Sequence, residues 1–168
     1  YVTNPSSLDG VLGELTKLGH LFGTMEKVGQ LLHDLRRRVG TVRDSVAEEK
    51  KVAIFVQISR EPLFTVGQGS FLNAIIDRAG GRSVTSDVGT AYPKLSKETA
   101  LALQPEAIIL SESPDNQEPN EVFKNSLAVK NGRVYKINAD LLSRPGPRLV
   151  DAFEQIARFL HPEKFRNN

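Results

Sequence analysis

Residues 62–110 read PLFTVGQGSFLNAIIDRAGGRSVTSDVGTAYPKLSKETALALQPEAIIL, and this stretch decides the fold. It parses as a loop rich in ligand-facing residue types, a helix over 70–78, a Gly80-Gly81 stop, a second loop, a helix over 96–103 and a buried strand over 107–110. That order suits one lobe of a binding cleft better than a catalytic centre.

The same alternation continues on both sides. Upstream, Val52-Ala53-Ile54-Phe55-Val56 is a continuous apolar run, the pattern of a strand buried on both faces. Downstream, a helix over 118–126 precedes a strand over 133–137, and a helix over 147–160 closes the pattern at His161-Pro162. Short strands separated by helices need crossover connections, so the fold class is α/β with a mostly parallel sheet and helices on both faces. Ligands of such sheets sit beyond the carboxyl ends of the strands. The loops 57–69, 111–118 and 138–146 are therefore the candidate site, with 83–95 as a fourth.

The first third is helical. Leu8, Val11, Leu12, Leu15, Leu18 and Leu21-Phe22 recur at three- and four-residue steps before Gly23 permits a break. A second helix over 24–47 places Val28, Leu31, Leu32, Leu35, Val39, Val42 and Val46 on one face. It would be roughly 35 Å long, more than one small lobe needs, so it is expected to reach toward a further part of the molecule. Tyr1-Val2-Thr3 reads as the tail of a strand, Asn4-Pro5 as a turn and Ser6 or Ser7 as a helix cap. The expectation is a fragment that begins within a larger fold, the alternative being a short N-terminal arm.

Composition narrows the function. The 168 residues are 39% hydrophobic, enough for one core, and 22 basic against 20 acidic residues leave a net charge of +2. That balance argues against a nucleic-acid footprint. The run Arg36-Arg37-Arg38 reads as a solvated helix face. No cysteine is present, which excludes disulfides and thiolate metal sites. No apolar run approaches the ~20 residues of a spanning helix, and no signal peptide is recognisable.

Catalytic motifs fit poorly. Gly67-Gln68-Gly69-Ser70 before a helix suggests a phosphate loop, but Leu72 stands where a dinucleotide fingerprint needs a small residue and no Gly-Lys-Ser/Thr follows. His20, His33 and His161 lack metal-site spacing and read as structural or surface residues. There is no Gly-x-Ser-x-Gly elbow and no histidine on the candidate loops, so an enzyme is not expected. What remains is a recognition set: Phe64 and Tyr92 as flat apolar faces, and Arg60, Asp140 and Arg144 as polar partners for a large ring ligand. Tyr92 precedes Pro93 and is held extended, which favours outward presentation. The plain alternatives are that Phe64 is core and that Arg144 only neutralises a nearby carboxylate.

PLFTVGQGSFLNAIIDRAGG (62–81), YPKLSKETALALQPEAIIL (92–110) and GRVYKINADLLSRPGPRLVDAFEQIARFLHPE (132–163) together resemble the C-terminal lobe of the class III periplasmic binding proteins. These are the cobalamin, haem and siderophore substrate-binding proteins of ABC importers, and the resemblance covers roughly residues 5–163. It implies one lobe of a bilobal fold preceded by a long connector helix, the ligand lying between lobes. The implied division is 1–23 as the end of an N-terminal lobe with its leading helix, 24–50 as the interlobe connector, and 51–168 as the C-terminal ligand-binding lobe. It also implies no chemistry and no resident cofactor. Phe64 and Tyr92 match ligand-stacking aromatics, Asp140 and Arg144 match the acidic and basic positions of the last ligand loop, and Glu98 matches a surface glutamate that docks on permease arginines. Leu141 and Leu142 depart from the aromatics of some cobalamin binders, so the ligand is left as a corrinoid, haem or a ferric siderophore.

The implied partners are that metal chelate and a membrane permease, with no nucleic acid, and with a homodimer as an option for a lobe alone. The implied location is periplasmic or otherwise extracytoplasmic, a lipid anchor on the full-length parent being a further option. A small α/β protein-interaction or signalling domain, or an α/β enzyme completed by another chain, is the alternative.

Overall fold

Strand β1, Val52–Gln57, is the apolar run at the centre of the sheet, and in the computed structural model it is flanked on both sides. The structure describes residue 5 and residues 7–166; the strand tail expected at residues 1–3 and the turn and cap residues Asn4 and Ser6 lie outside that range. The described chain continues through α1 (Leu8–Leu21), α2 (Met25–Val46), α3 (Phe71–Arg78), β2 (Gly81–Ser83), α4 (Lys97–Ala102), β3 (Ala107–Glu112), α5 (Leu127–Lys130), β4 (Val134–Asn138), α6 (Ala139–Ser143) and α7 (Leu149–Leu160). Short 3-10 turns occupy Glu121–Phe123 and Pro162–Phe165.

All four strands are parallel, in the order β2-β1-β3-β4. Successive side chains of a strand point to opposite faces, and the core divides accordingly. Ile54, Val56 and Ile109 join α1, α2, α3 and α7 in the larger cluster. Phe55, Ile108 and Leu110 join Leu63, Leu95, Ala100, Phe123 and Ala128 in the smaller one on the other face. The α/β class and the helices on both faces follow the sequence reading.

Several helix starts are set by side chains, although α2 and α7 begin without a side-chain cap. Ser7, Ser70, Ser96 and Ser126 each accept a backbone N–H of the following first turn, an arrangement worth about 1 kcal/mol per cap. Three stretches differ from expectation. Instead of a helix over 118–126, Asn120 caps only the 3-10 turn, Ser126 starts α5, and the two are separate. The stretch Gly81–Ser83, read as stop and loop, is an edge strand, and residues 139–143, read as loop, form α6.

Helix α2 buries Leu32, Leu35, Val39, Val42 and Val46 against the same core as the sheet, while its first two turns are largely exposed. The hairpin tip between α1 and α2 exposes Leu21 by 61% and Phe22 by 70%. Arg36 and Arg37 are solvated as expected, but Arg38 is not. Its guanidinium donates to Glu154 from Nε at 2.9 Å and Nη2 at 2.7 Å, and to Asp151 at 2.6 Å, fastening α2 to α7. The bond to Glu154 raises the guanidinium pKa above its already high ordinary value. The forked geometry makes this a stronger contact than a surface pair. Arg38→Met is expected to destabilise the protein by about 2 kcal/mol in urea unfolding; a change below about 0.5 kcal/mol, the range for neutral surface substitutions, would return Arg38 to the solvated face. Among the described residues no helix is long and apolar enough to cross a membrane.

Candidate functional site: a groove at the carboxyl edge of the sheet

Strand order places the site. From β1 the chain turns through α3 to β2 on one side, whereas from β3 it runs to β4 on the other. The outgoing connections of the adjacent strands β1 and β3 diverge, and a crevice opens between their carboxyl ends. Ile58, just past β1, and Ser111, near the end of β3, both line a pocket there of about 270 Å³, together with Leu72, Tyr92, Leu142 and Ser143. A neighbouring pocket of about 360 Å³ shares Tyr92 and Ser143 and extends over Pro5, Gly69, Ser70, Phe71, Ala91 and Pro145. The two form one open, mostly apolar groove with Tyr92 and Ser143 at its middle.

Beneath the groove the loops are locked by a buried amide cluster. The Gln57 side chain donates to Asn116 Oδ1 at 2.7 Å and to the Glu118 carbonyl at 2.9 Å, and its Oε1 accepts the Asn120 amide at 2.7 Å. Asn116 donates to the carbonyls of Gln57, Ser111 and Ile58 at 3.0, 2.8 and 3.3 Å. Asn120 donates to the Arg60 carbonyl at 2.8 Å. All three amide residues are at most 2% exposed, so their side-chain amides sit away from water, where leaving a bond unmade is costly.

Tyr92 is presented by a ladder of loop hydrogen bonds. Residues 63–68 run beside 88–95: the amides of Thr65 and Gly67 donate to the carbonyls of Pro93 and Ala91 at 3.1 and 2.9 Å, and Leu95 donates to Leu63 at 2.9 Å. Side chains then alternate, Pro93 and Leu95 inward, Tyr92 and Lys94 outward. Tyr92 is 46% exposed. Thr85 secures the arrangement from below, its hydroxyl donating to the Val66 carbonyl at 2.6 Å. Gly67 is required where the two segments touch, since a Cβ there would lie 2.1 Å from the Thr90 carbonyl oxygen.

Of the five recognition residues read from sequence, Tyr92 alone lines the groove. Phe64 is half-buried and bridges Ser59 and Lys94 in the loop ladder. Arg60 pairs with Glu118 at 3.4 Å across the β1 and β3 loops. Asp140 and Arg144 pair with each other at 3.2 Å one turn apart on and after α6, both exposed. Leu142 is buried in the groove floor, and Leu141 packs on the core. Ile58, Leu72, Ser111 and Ser143 were missed, although three of them fall on loops already singled out by strand position; only the strand order picks out the crevice they line.

Glu98 stands in the first turn of α4, wholly exposed, and α4 begins at the same edge of the sheet as the groove. A hydrogen bond from its own backbone amide, then one from Ser96, holds its carboxyl below the usual range, so it is ionised. Leu101, 63% exposed, follows it on the same helix.

A family model described as periplasmic binding protein matches residues 1–141. The chain belongs to that family. It is 32% identical over 162 residues to the vitamin B12-binding protein of Vibrio cholerae, covering 95% of this chain and 59% of that relative. It is 27% identical to the cobalamin-binding protein of Halobacterium salinarum, over 93% of this chain and 45% of the relative. The chain thus spans only about half the length of these curated relatives. The crystal structure of the Vibrio cholerae periplasmic vitamin B12 binding protein superposes with a TM-score of 0.85 at 29% identity, over 99% of this chain and 66% of that one. A haem-binding periplasmic protein in complex with two haems superposes at 0.80 with 20% identity, a likeness of fold. This periplasmic binding protein chain therefore carries a lobe of the bilobal fold expected from sequence, in a family whose members bind rather than transform.

Proposed function

We infer that this chain is the ligand-holding lobe of a substrate-binding protein that delivers a metal chelate, a corrinoid first and haem or a ferric siderophore next, to an ABC importer. One observation carries the reading: the groove at the β1/β3 divergence is apolar, open and centred on an outward tyrosine, in a chain similar to relatives named for vitamin B12. An aromatic face over an apolar shelf suits a flat macrocycle. Ser111 and Ser143 supply hydroxyls, and the exposed Asp140–Arg144 pair is placed to meet polar substituents at the rim, each ion free to leave its partner because the pair is solvated. Phe64 supports the loop that carries Tyr92, and Arg60 ties the loop after β1 to the loop after β3.

In the same reading residues 1–23 end an N-terminal lobe, 24–50 form the connector and 51–168 form the C-terminal lobe. The exposed first turns of α2 and the apolar tip at Leu21 and Phe22 support that division. A second lobe would close over the groove and exclude water, so this lobe alone binds weakly. The reading does not extend to a homodimer. It places the protein outside the cytoplasm; a lipid anchor on the parent is also proposed, a Bacillus subtilis relative 23% identical to this chain being named a lipoprotein.

Calorimetric titration with cyanocobalamin, hemin and a ferric siderophore tests the reading. Saturable binding of at least one chelate, weakened roughly tenfold by Tyr92→Ala (~1.4 kcal/mol of lost stacking and apolar contact), is expected. Binding of none by either this chain or a full-length parent would favour the protein-interaction alternative. Glu98 is assigned to the permease. Glu98→Lys is expected to lower transport by the parent with affinity for the chelate unchanged, read as uptake against calorimetry; a fall in affinity would remove the docking role.

A further inference from the structure

At the amino end of the sheet, away from the groove, His161 follows α7 and is only 4% exposed. Its Nε2 lies 3.0 Å from the Gly80 carbonyl, which also accepts the Val52 amide at 3.1 Å. A carbonyl can only accept, so the ring donates from Nε2, and in the neutral imidazole the lone pair is then on Nδ1. Gly80 makes room for this: its φ is +84°, and a Cβ would fall 2.4 Å from His161 Nε2.

Nδ1 faces the Glu163 carboxylate, 3.8 Å away. Glu49, in the turn between α2 and β1, brings a second carboxylate, and one ligand atom from each of the three residues lies within 4.8 Å of the others. A buried imidazole fixed by a backbone carbonyl behind it, with its lone pair turned toward the Glu163 carboxylate and a second carboxylate close by, is both the donor set and the outer support of an N/O zinc site. We propose that Glu49, His161 and Glu163 bind a divalent transition-metal ion of the Zn²⁺ class.

Around such an ion, with bonds near 2.0–2.1 Å, the donors would draw in by on the order of an ångström. Glu163, 54% exposed, and Glu49, 27% exposed, have the freedom to do so. Lys164 is the competitor: its ammonium pairs with Glu49 and fills the role of a cation there. Metal binding displaces it and ties the end of α2 to the end of α7.

The test is calorimetric titration with ZnCl₂ in a background carrying His20→Gln and His33→Gln, both exposed positions, so that scattered imidazoles do not contribute. One saturable site is expected, weakened roughly tenfold or more by Glu163→Gln and tightened by Lys164→Met. Zinc should also raise the Tm, and Glu163→Gln should abolish that rise. Binding seen only with Lys164→Met supports the donor set, with Lys164 as its usual occupant. Binding unaltered by Glu163→Gln, or absent from both the parent background and Lys164→Met, would overturn the proposal.

Discussion

Asn116→Ala is expected to destabilise the protein by about 3 kcal/mol, shown by a lower urea midpoint at unchanged slope. Asn116 is 1% exposed and bonds the carbonyls of Gln57, Ile58 and Ser111 while accepting from the Gln57 amide. Alanine leaves those four groups without their partner, at about 1–3 kcal/mol for each that finds no replacement. The loss is not fourfold, because carbonyls in the β1 and β3 ladders keep a backbone donor and a water can enter the space. Ile58, just past β1, and Ser111 of β3 also line the groove, so ligand affinity should fall with stability. A cost below about 1 kcal/mol would mean that the amide cluster does not hold the loops.

Gly67→Val is expected to cost about 2–3 kcal/mol and to weaken chelate binding by more than Tyr92→Ala does. The clash is with backbone on both counts, the Thr90 carbonyl at 2.1 Å and the Val88 carbonyl at 2.7 Å from a Cβ, so no side-chain rotation relieves it. The segment 88–92 must move, carrying Tyr92 off the groove and breaking the Gly67–Ala91 hydrogen bond. Unfolding and calorimetry on one preparation separate the two effects. Wild-type affinity in a destabilised Gly67→Val would show that Tyr92 is not positioned by this contact.

How much of this was legible in the sequence follows from the range of the interactions involved. The strands β1 and β3 are continuous apolar runs buried by their own composition, and α2 and α7 announce themselves by three- and four-residue spacing. Strand β2 has three residues, Gly-Arg-Ser, with no hydrophobic signature; it exists because Val52 to Ile54 offer it a parallel edge. The helix expected over 118–126 divides because Asn120 and Ser126 each cap a separate start, two local signals that the apolar pattern obscured. Arg38 looks like its neighbours in sequence, and only the packing of α2 on α7 brings it to Asp151 and Glu154.

The site shows the same division. The loops were legible, because carboxyl ends of parallel strands are where ligands bind. The wall residues were not, because a search for aromatic and charged side chains passes over Ile58, Leu72, Ser111 and Ser143. Their selection depends on β3 lying beside β1 while the intervening strand lies on the far side, a fact about topology rather than about any residue. Tyr92 was legible through Pro93, which fixes its extended backbone locally.

The central claim is that the groove around Tyr92 is where a chelate binds. Hydrogen–deuterium exchange with and without a saturating corrinoid tests it most directly. The account predicts slowed exchange in 88–95 and 139–146, with little change over α4 and α5. Protection confined to α4 and α5, or a bound corrinoid that leaves 88–95 unaltered, would contradict it.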